Sequence, residues 1–380
     1  MEKIGVGVIG ASPLSPGWAV AAHIPAIQAL SQFELRAVST SRRDSADAAR
    51  NTFEVAAYDN AEDLIRDPAV DLVVVTVRVT NHFPIVEEAL RARKMVFCEW
   101  PLGVNTAEAT VLKAKADDAG VRTVVGLQAR FSPQVQFARQ LVDDGYIGDL
   151  LSTSLVGSAS SWGGITTQNN SYIFDDASGV SPLSVSMLHA LDALNFILGD
   201  FESVSGVSAV RRPIVRIADD DSIRRVTTPD QVAVCGRLKS GAIASIVYRG
   251  GQSRGNNLFW EINGSDGDLV FHSNIGNIQV ADLRLQAGHG NDNQVSDLSV
   301  PDPDKERVPA LPGGMSSNVA RLYMHFVRDL YDGTRTVPDF AHAVTRHELI
   351  DHIKRESTNF DSCRFDSFAN PGSQGPRYES

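Results

Sequence analysis

Cysteine is scarce: 3 in 380 residues, at Cys98, Cys235 and Cys363, with no Cys-x-x-Cys spacing. An odd number of isolated thiols excludes a disulfide framework and a cysteine zinc site, and it fits a reducing, cytoplasmic setting. Basic charge is in deficit as well, with 35 Lys and Arg against 46 Asp and Glu and a net charge of −11. Direct nucleic-acid binding needs a positive surface, and the nearest stretch, Arg211, Arg212, Arg216, Arg224 and Arg225, is interrupted by Asp219, Asp220 and Asp221. No run approaches the roughly 18–20 apolar residues of a bilayer span, so no membrane partner is expected. The opening MEKIGVGVIGASP has neither the h-region nor the cleavage site of a secretory signal. No internal repeat and no metal-ligand spacing is visible.

What is present is an ordinary globular composition, 43% hydrophobic and 21% charged, at a length that suits two domains. From residue 4 to about 127, β-branched runs alternate with amphipathic segments: IGVGVIG, HIPAIQAL, FELRAVST, DSADAARNTF, DLVVVTV, HFPIVEEALRAR, KMVFCEW, TAEATVLKAKADDAG, RTVVGLQ. Strand and helix in strict turn imply parallel pairing with right-handed crossovers, and the unbroken apolar DLVVVTV implies a strand covered on both faces. Phe131 to Gly145 reads as a further helix.

After Leu150 the texture becomes alternating strands such as LLSTSLVGSAS, QVAVCGRL, AIASIVYRG and LFWEING, with one helix around Val185 to Leu198. The fold class expected is an α/β N-terminal Rossmann domain with a doubly wound parallel sheet, plus an α+β C-terminal domain with a large, mostly antiparallel open sheet. The domains are expected at 1–130 and 131–365, with a C-terminal helix packing back on the first domain. Residues 285–317 read as loop and 366–380 as tail. The open sheet of the second domain predicts self-association, as a homodimer or tetramer.

The first strand ends Gly7-Val8-Ile9-Gly10, and the turn continues through Ala11, Ser12 and a proline-rich loop to Gly17 and Trp18. Such a bend at the carboxyl edge of a parallel sheet presents amide N–H groups and a helix N-terminus to a pyrophosphate. Ser12 stands where a strict G-x-G-x-x-G has its second glycine, so position in the fold carries the reading rather than the glycines. The second strand runs on through Thr40, Ser41, Arg42 and Arg43, with no acid before Asp44 to read a ribose diol. Hydroxyls and two guanidiniums suit a 2′-phosphate, which favours NADP(H), with NAD as the alternative.

Four groups of residues carry a resemblance: the Gly10 turn, Phe97-Cys98-Glu99-Trp100-Pro101-Leu102, His189-Ala190-Leu191-Asp192, and the strand order. Over roughly residues 3–360 the chain resembles the Gfo/Idh/MocA oxidoreductases, which include glucose-fructose oxidoreductase and inositol dehydrogenase. Gly17-Trp18-Ala19, His23-Ile24-Pro25-Ala26-Ile27, Leu127-Gln128-Ala129-Arg130 and Gly145-Tyr146-Ile147-Gly148-Asp149 resemble, within the family, the branch of the fungal galactose-pathway repressor. The resemblance implies a bound nicotinamide dinucleotide and a sugar, cyclitol or similar polyhydroxylated substrate. It also implies a proton-handling set: a lysine after the fifth strand, and an aspartate and a histidine on the helix. Here Trp100 stands at the lysine and Val185 at the aspartate, while His189 and Asp192 are present.

The candidate catalytic residues are therefore His189 and Asp192, on one helix face, with Tyr172 as the nearby phenol able to replace the lysine. Alongside Gly10, Ala11, Ser12, Gly17, Trp18, Thr40, Ser41, Arg42 and Arg43, the cofactor candidates are Arg78 and His82 after the fourth strand, Glu99 and Trp100 after the fifth, and Gln128. Trp18 and Trp100 are candidate stacking walls. Two functions stay open: an NADP(H)-linked oxidoreductase, and a dinucleotide-binding regulator without catalysis.

Overall fold

The computed structural model describes residues 2–362; the expected tail and Cys363 lie outside them. In its first half, β1 (Ile4–Ile9), β2 (Phe33–Ser39), β3 (Ala56–Tyr58), β4 (Leu72–Val75), β5 (Met95–Glu99) and β6 (Thr123–Gly126) form one sheet in the order β3-β2-β1-β4-β5-β6. Every pairing is parallel. The crossovers are α1 (Ile24–Ala29), α2 (Arg43–Phe53), α3 (Ala61–Arg66), α4 (His82–Arg91) and α5 (Thr106–Ala119). The side chains of Asn60 and Asn105 accept from the amides of Asp63 and Glu108 and so start α3 and α5. All residues of β1 and β4 are buried, as strands with helices on both faces require. The strand order reverses between β1 and β4, which opens a crevice at the carboxyl ends of the strands.

Beyond α6 (Pro133–Asp143) the chain builds β7 (Leu150–Ala159), β8 (Ile165–Thr166), α7 (Leu188–Leu198), β9 (Phe201–Ala209), β10 (Ile214–Ile217) and β11 (Ile223–Arg225). It continues with β12 (Gln231–Leu238), β13 (Ile243–Gly250), β14 (Leu258–Gly264), β15 (Gly267–Ser273), β16 (Arg284–His289) and β17 (Ser296–Asp297). Eight of these strands form an open sheet in the order β17-β16-β15-β14-β7-β13-β12-β9, and β11-β10-β8 form a small one. In the large sheet only β7 and β13 pair in parallel. Residues 285–317, expected as loop, contain most of β16, all of β17 and the short α8 (Pro303–Arg307). Pairing of β16 to β15 and of β17 to β16 supplies the order that the Gly, Asn and Asp content of these strands conceals.

The helical stretch Asp176–Leu198 is long and apolar enough to cross a bilayer by composition, at mean hydropathy 1.2, but 89% of its apolar window is buried in the protein. It is a core helix under the large sheet. Two further helices, α9 (Ser317–Asp332) and α10 (Phe340–Ser362), return to the first half. Tyr323 of α9 packs its ring against Phe33 and Phe97 at centroid distances of 5.1 and 5.0 Å. Thr106 at the start of α5 donates to Asp351 of α10 at 2.5 Å.

Candidate active site

Gly10 closes β1 at φ 99°, and a Cβ there would lie 2.9 Å from Thr76 Oγ1, so only glycine fits this bend. Its N–H and that of Ala11 both donate to Ser39 O, at 2.9 and 3.1 Å. The amides expected to hold a diphosphate are thus already engaged at Gly10 and Ala11. The N–H groups of Ser12, Leu14 and Ser15, farther along the loop, have no partner among the described residues. Gly17 faces open space, so no close backbone approach demands a glycine there. At the end of β2, Thr40 is buried and its hydroxyl caps Arg42 O at 3.0 Å. Ser41, Arg42 and Arg43 are exposed, and the two guanidiniums pair only with Asp44 and Asp47, at 3.3 and 3.4 Å.

At the end of β5, Glu99 is held by a buried chain of hydrogen bonds. His23 Nε2 lies 2.8 Å from Glu99 Oε1 and its Nδ1 lies 2.8 Å from Tyr323 Oη. With a neutral ring, Nε2–H donates to the carboxylate and the Tyr323 hydroxyl donates to Nδ1. Burial and the Glu99 charge hold the Tyr323 phenol well above its ordinary pKa. Gly126 gives the carboxylate room, since a Cβ there would stand 2.5 Å from Glu99 Oε1. His23 and Tyr323 are not among the residues the sequence points to, although the HIPAI motif holds the first and the helical periodicity of Val319, Leu322, Tyr323, Phe326 and Val327 holds the second.

Helix α7 delivers His189 and Asp192, which do not work as a pair. Asp192 is fully buried and accepts from Arg130 through Nε–Oδ2 and Nη2–Oδ1 bonds of 2.9 and 2.5 Å, and from His342 at 2.6 Å. Burial alone raises a carboxyl pKa, but the charges and hydrogen bonds of Arg130 and His342 outweigh it and hold Asp192 well below the usual range. It is a structural anion tying α7 to α10, which corrects its expected proton-handling role. His189 has no hydrogen-bond partner among the described residues, and its Nδ1 is buried. Burial lowers its pKa to about 4, against the opposing charges of Glu99 and Asp192.

Three other expectations are corrected by geometry. Trp100 is no stacking wall: it is buried, its indole N–H donates to Ser184 O at 2.6 Å, and its ring packs on His347 at 4.7 Å. His82 is spent on structure, its ring nitrogens facing Pro101 O and Val77 O at 2.9 and 3.0 Å, with Cys98 Sγ 3.3 Å from Nδ1. Among the described residues Tyr172 makes no hydrogen bond through its hydroxyl; its ring carries the Arg78 guanidinium at 4.4 Å, and burial raises its pKa, so it is a poor base. Arg78 itself reaches across from β4 to Asn169 O and Oδ1, both at 2.8 Å, bridging the two halves at the crevice mouth.

Four buried polar atoms around this crevice lack partners: Trp18 Nε1, Ser39 Oγ, Gln128 Oε1 and His189 Nδ1. They lie on the first helix, at the ends of β2 and β6, and on α7. Buried groups are normally paired, so a donor, a hydroxyl, an acceptor and an imidazole left open are positions where a polar ligand could supply the missing partners. Among the described residues no His, Cys, Asp or Glu cluster suits a metal.

Residues 4–127 match the oxidoreductase family, NAD-binding Rossmann fold, and residues 133–273 match the Gal80p C-terminal domain. The chain is 25% identical to the galactose/lactose metabolism regulatory protein GAL80 of Saccharomyces cerevisiae, over 88% of this chain and 84% of that protein. A super-repressor mutant of Gal80p from the same yeast superposes with a TM-score of 0.84 at 23% identity, covering 94% of this chain and 97% of that one. Levoglucosan dehydrogenase of Pseudarthrobacter phenanthrenivorans is 26% identical over 72% of this chain and 74% of its own. A levoglucosan dehydrogenase solved with NADH and levoglucosan has a TM-score of 0.79 at 21% identity, covering 94% of this chain and 98% of that one. The nucleotide-binding half is thus similar to the Gfo/Idh/MocA oxidoreductases, and the half that follows is similar to the Gal80p C-terminal domain.

Proposed function

We propose that this protein is an NADP(H)-linked oxidoreductase for a sugar, cyclitol or related polyhydroxylated compound, with His189 as the proton carrier. The observation that carries this reading is His189 itself, a buried imidazole on α7 with no hydrogen-bond partner among the described residues. An unpaired buried nitrogen is costly unless a ligand completes it, and a substrate hydroxyl is such a ligand. Burial lowers its pKa to about 4, so the ring is neutral near pH 7 and meets a substrate hydroxyl as a hydrogen-bond acceptor and a weak base.

When bound, the nicotinamide accepts hydride from the carbinol carbon or returns it to a carbonyl. The chain's residues do the rest. The free amides of Ser12, Leu14 and Ser15 hold the diphosphate, and Trp18 Nε1, Ser39 Oγ and Gln128 Oε1 take the remaining polar groups. Glu99, fixed by His23, orients the nicotinamide riboside, while His189 takes the hydroxyl proton in oxidation and gives it back in reduction. Arg42 and Arg43 meet a 2′-phosphate: their ion pairs are exposed, contribute little and yield readily. In this reading residues 1–130 are the dinucleotide domain and 131–365 the substrate and self-association domain, in a cytoplasmic protein.

The outer face of the large sheet supports self-association. Val207, Ala233, Val247, Val156 and Phe259 align in register across β9, β12, β13, β7 and β14 as one apolar row. Ile243 and Leu151 nearby are each 56% exposed. A second copy covers such a face in a dimer or tetramer.

One observation favours a second reading, a dinucleotide-binding regulator. Trp100 fills the family's lysine position and spends its only donor on Ser184 O, so no group there can cycle a proton. Incubation with NADP+ and a panel of sugars and cyclitols, following reduced-nicotinamide absorbance, separates the two. Turnover abolished in His189→Ala supports the enzyme; tight nucleotide binding with no turnover on any panel member supports the regulator.

A further inference from the structure

Away from the crevice, α6, α8 and α9 enclose a groove of about 450 Å³, within the range of small-molecule sites. Its charges do not cancel. Each carboxylate lining it already has a partner: Asp143 with Arg139 at 3.3 Å, Asp302 with Arg321, and Asp304 with His325 at 3.7 Å. Arg307 and Arg328 also line the groove, and neither makes an ion pair or hydrogen bond among the described residues. Arg321 is 4% exposed, and its Nε–H is buried without a partner despite the bonds its Nη atoms make. Arg307, Arg328, whose charge acts on Asp304, and the orphaned Nε–H of Arg321 thus belong to one groove in a protein of net charge −11. Phe131 and Phe137 supply an apolar wall, with the His325 ring 5.0 Å from Phe131.

We infer that this groove is a second ligand site, which takes a small phosphate ester: the dianion between Arg307, Arg328 and Arg321 Nε–H, the organic body on Phe131 and Phe137. Planar guanidinium forks match phosphate oxygens, and three guanidiniums on one groove suit a dianion better than a single carboxylate. The wall explains why an ester outbinds the bare ion, since a sugar's C–H face has an aromatic surface to cover. The inference does not depend on the function proposed above, because the groove shares no residue with the crevice edge that holds Gly10, Glu99 and His189.

The test is calorimetric titration of the full chain, presaturated with NADP+, with glucose 6-phosphate, inorganic phosphate and glucose. Binding of the ester at one site, weaker binding of phosphate and none of glucose is expected. Arg307→Ala/Arg328→Ala weakens the ester by about tenfold or more, and Arg307→Glu/Arg328→Glu abolishes it. Both pairs are exposed, so the variants keep the melting temperature of the parent, and NADP+ affinity, read separately, is unchanged. Absence of heat with the ester at millimolar concentration overturns the inference, as does equal affinity in the double-alanine variant, which would place the anion in the dinucleotide crevice.

Discussion

Trp100 and Ser184 are joined by a 2.6 Å hydrogen bond from the indole N–H to a backbone carbonyl, so the end of β5 is tied to the helical turn that leads into α7. Both residues are buried. This bond is a fastening between the two halves of the chain. Trp100→Phe keeps the ring and removes the donor, leaving Ser184 O unsatisfied. We expect a loss of about 1–3 kcal/mol in denaturant unfolding, with no shift in the pH dependence of any turnover.

Asp192→Asn tests the structural assignment of that carboxylate. Arg130 and His342 lose their counter-ion in the interior, so the variant loses about 3–5 kcal/mol. The catalytic rate of the folded fraction changes little. A normal melting temperature with lost turnover contradicts the assignment.

His189 and His347 make stability depend on pH. Burial lowers both to about 4. The unfolded chain, with histidines near 6.5, binds more protons between the two values, so the contribution is complete above about pH 6.5 and is lost as pH falls toward 4. Each histidine then costs about 2 kcal/mol between pH 7 and pH 5. Urea unfolding at the two pH values checks this, and His347→Phe flattens the difference by roughly that amount.

Arg42→Ala/Arg43→Ala addresses coenzyme choice. Loss of charge-assisted bonds to a 2′-phosphate weakens NADP+ by about tenfold or more and leaves NAD+ nearly unchanged. Equal weakening of both nucleotides, read by fluorescence titration, removes the basis for an NADP preference.

Much of the fold was legible because its signals are local. The alternation from IGVGVIG to RTVVGLQ and the apolar DLVVVTV specify a parallel sheet, and period-two runs such as AIASIVYRG specify the second one. Gly10 was legible because only glycine takes its backbone angle. The engagements of Asp192, His82 and Trp100 were not, since each partner (Arg130 and His342, two backbone carbonyls, Ser184 O) is set by tertiary packing across 5 to 150 positions of chain. His23 and Tyr323 meet across 300 positions for the same reason. The edge strands β16 and β17 escaped notice because their order comes from pairing rather than composition.

The central claim is that the crevice at the carboxyl ends of β1, β2, β5 and β6 holds a nicotinamide dinucleotide. Calorimetric titration of the protein with NADP+ measures it most directly. The account predicts saturable binding of one nucleotide per chain, lost in Gly10→Val, whose Cβ meets Thr76 Oγ1 at a bend that disfavours side chains. No heat of binding for NADP+ or NAD+ at millimolar concentration contradicts it.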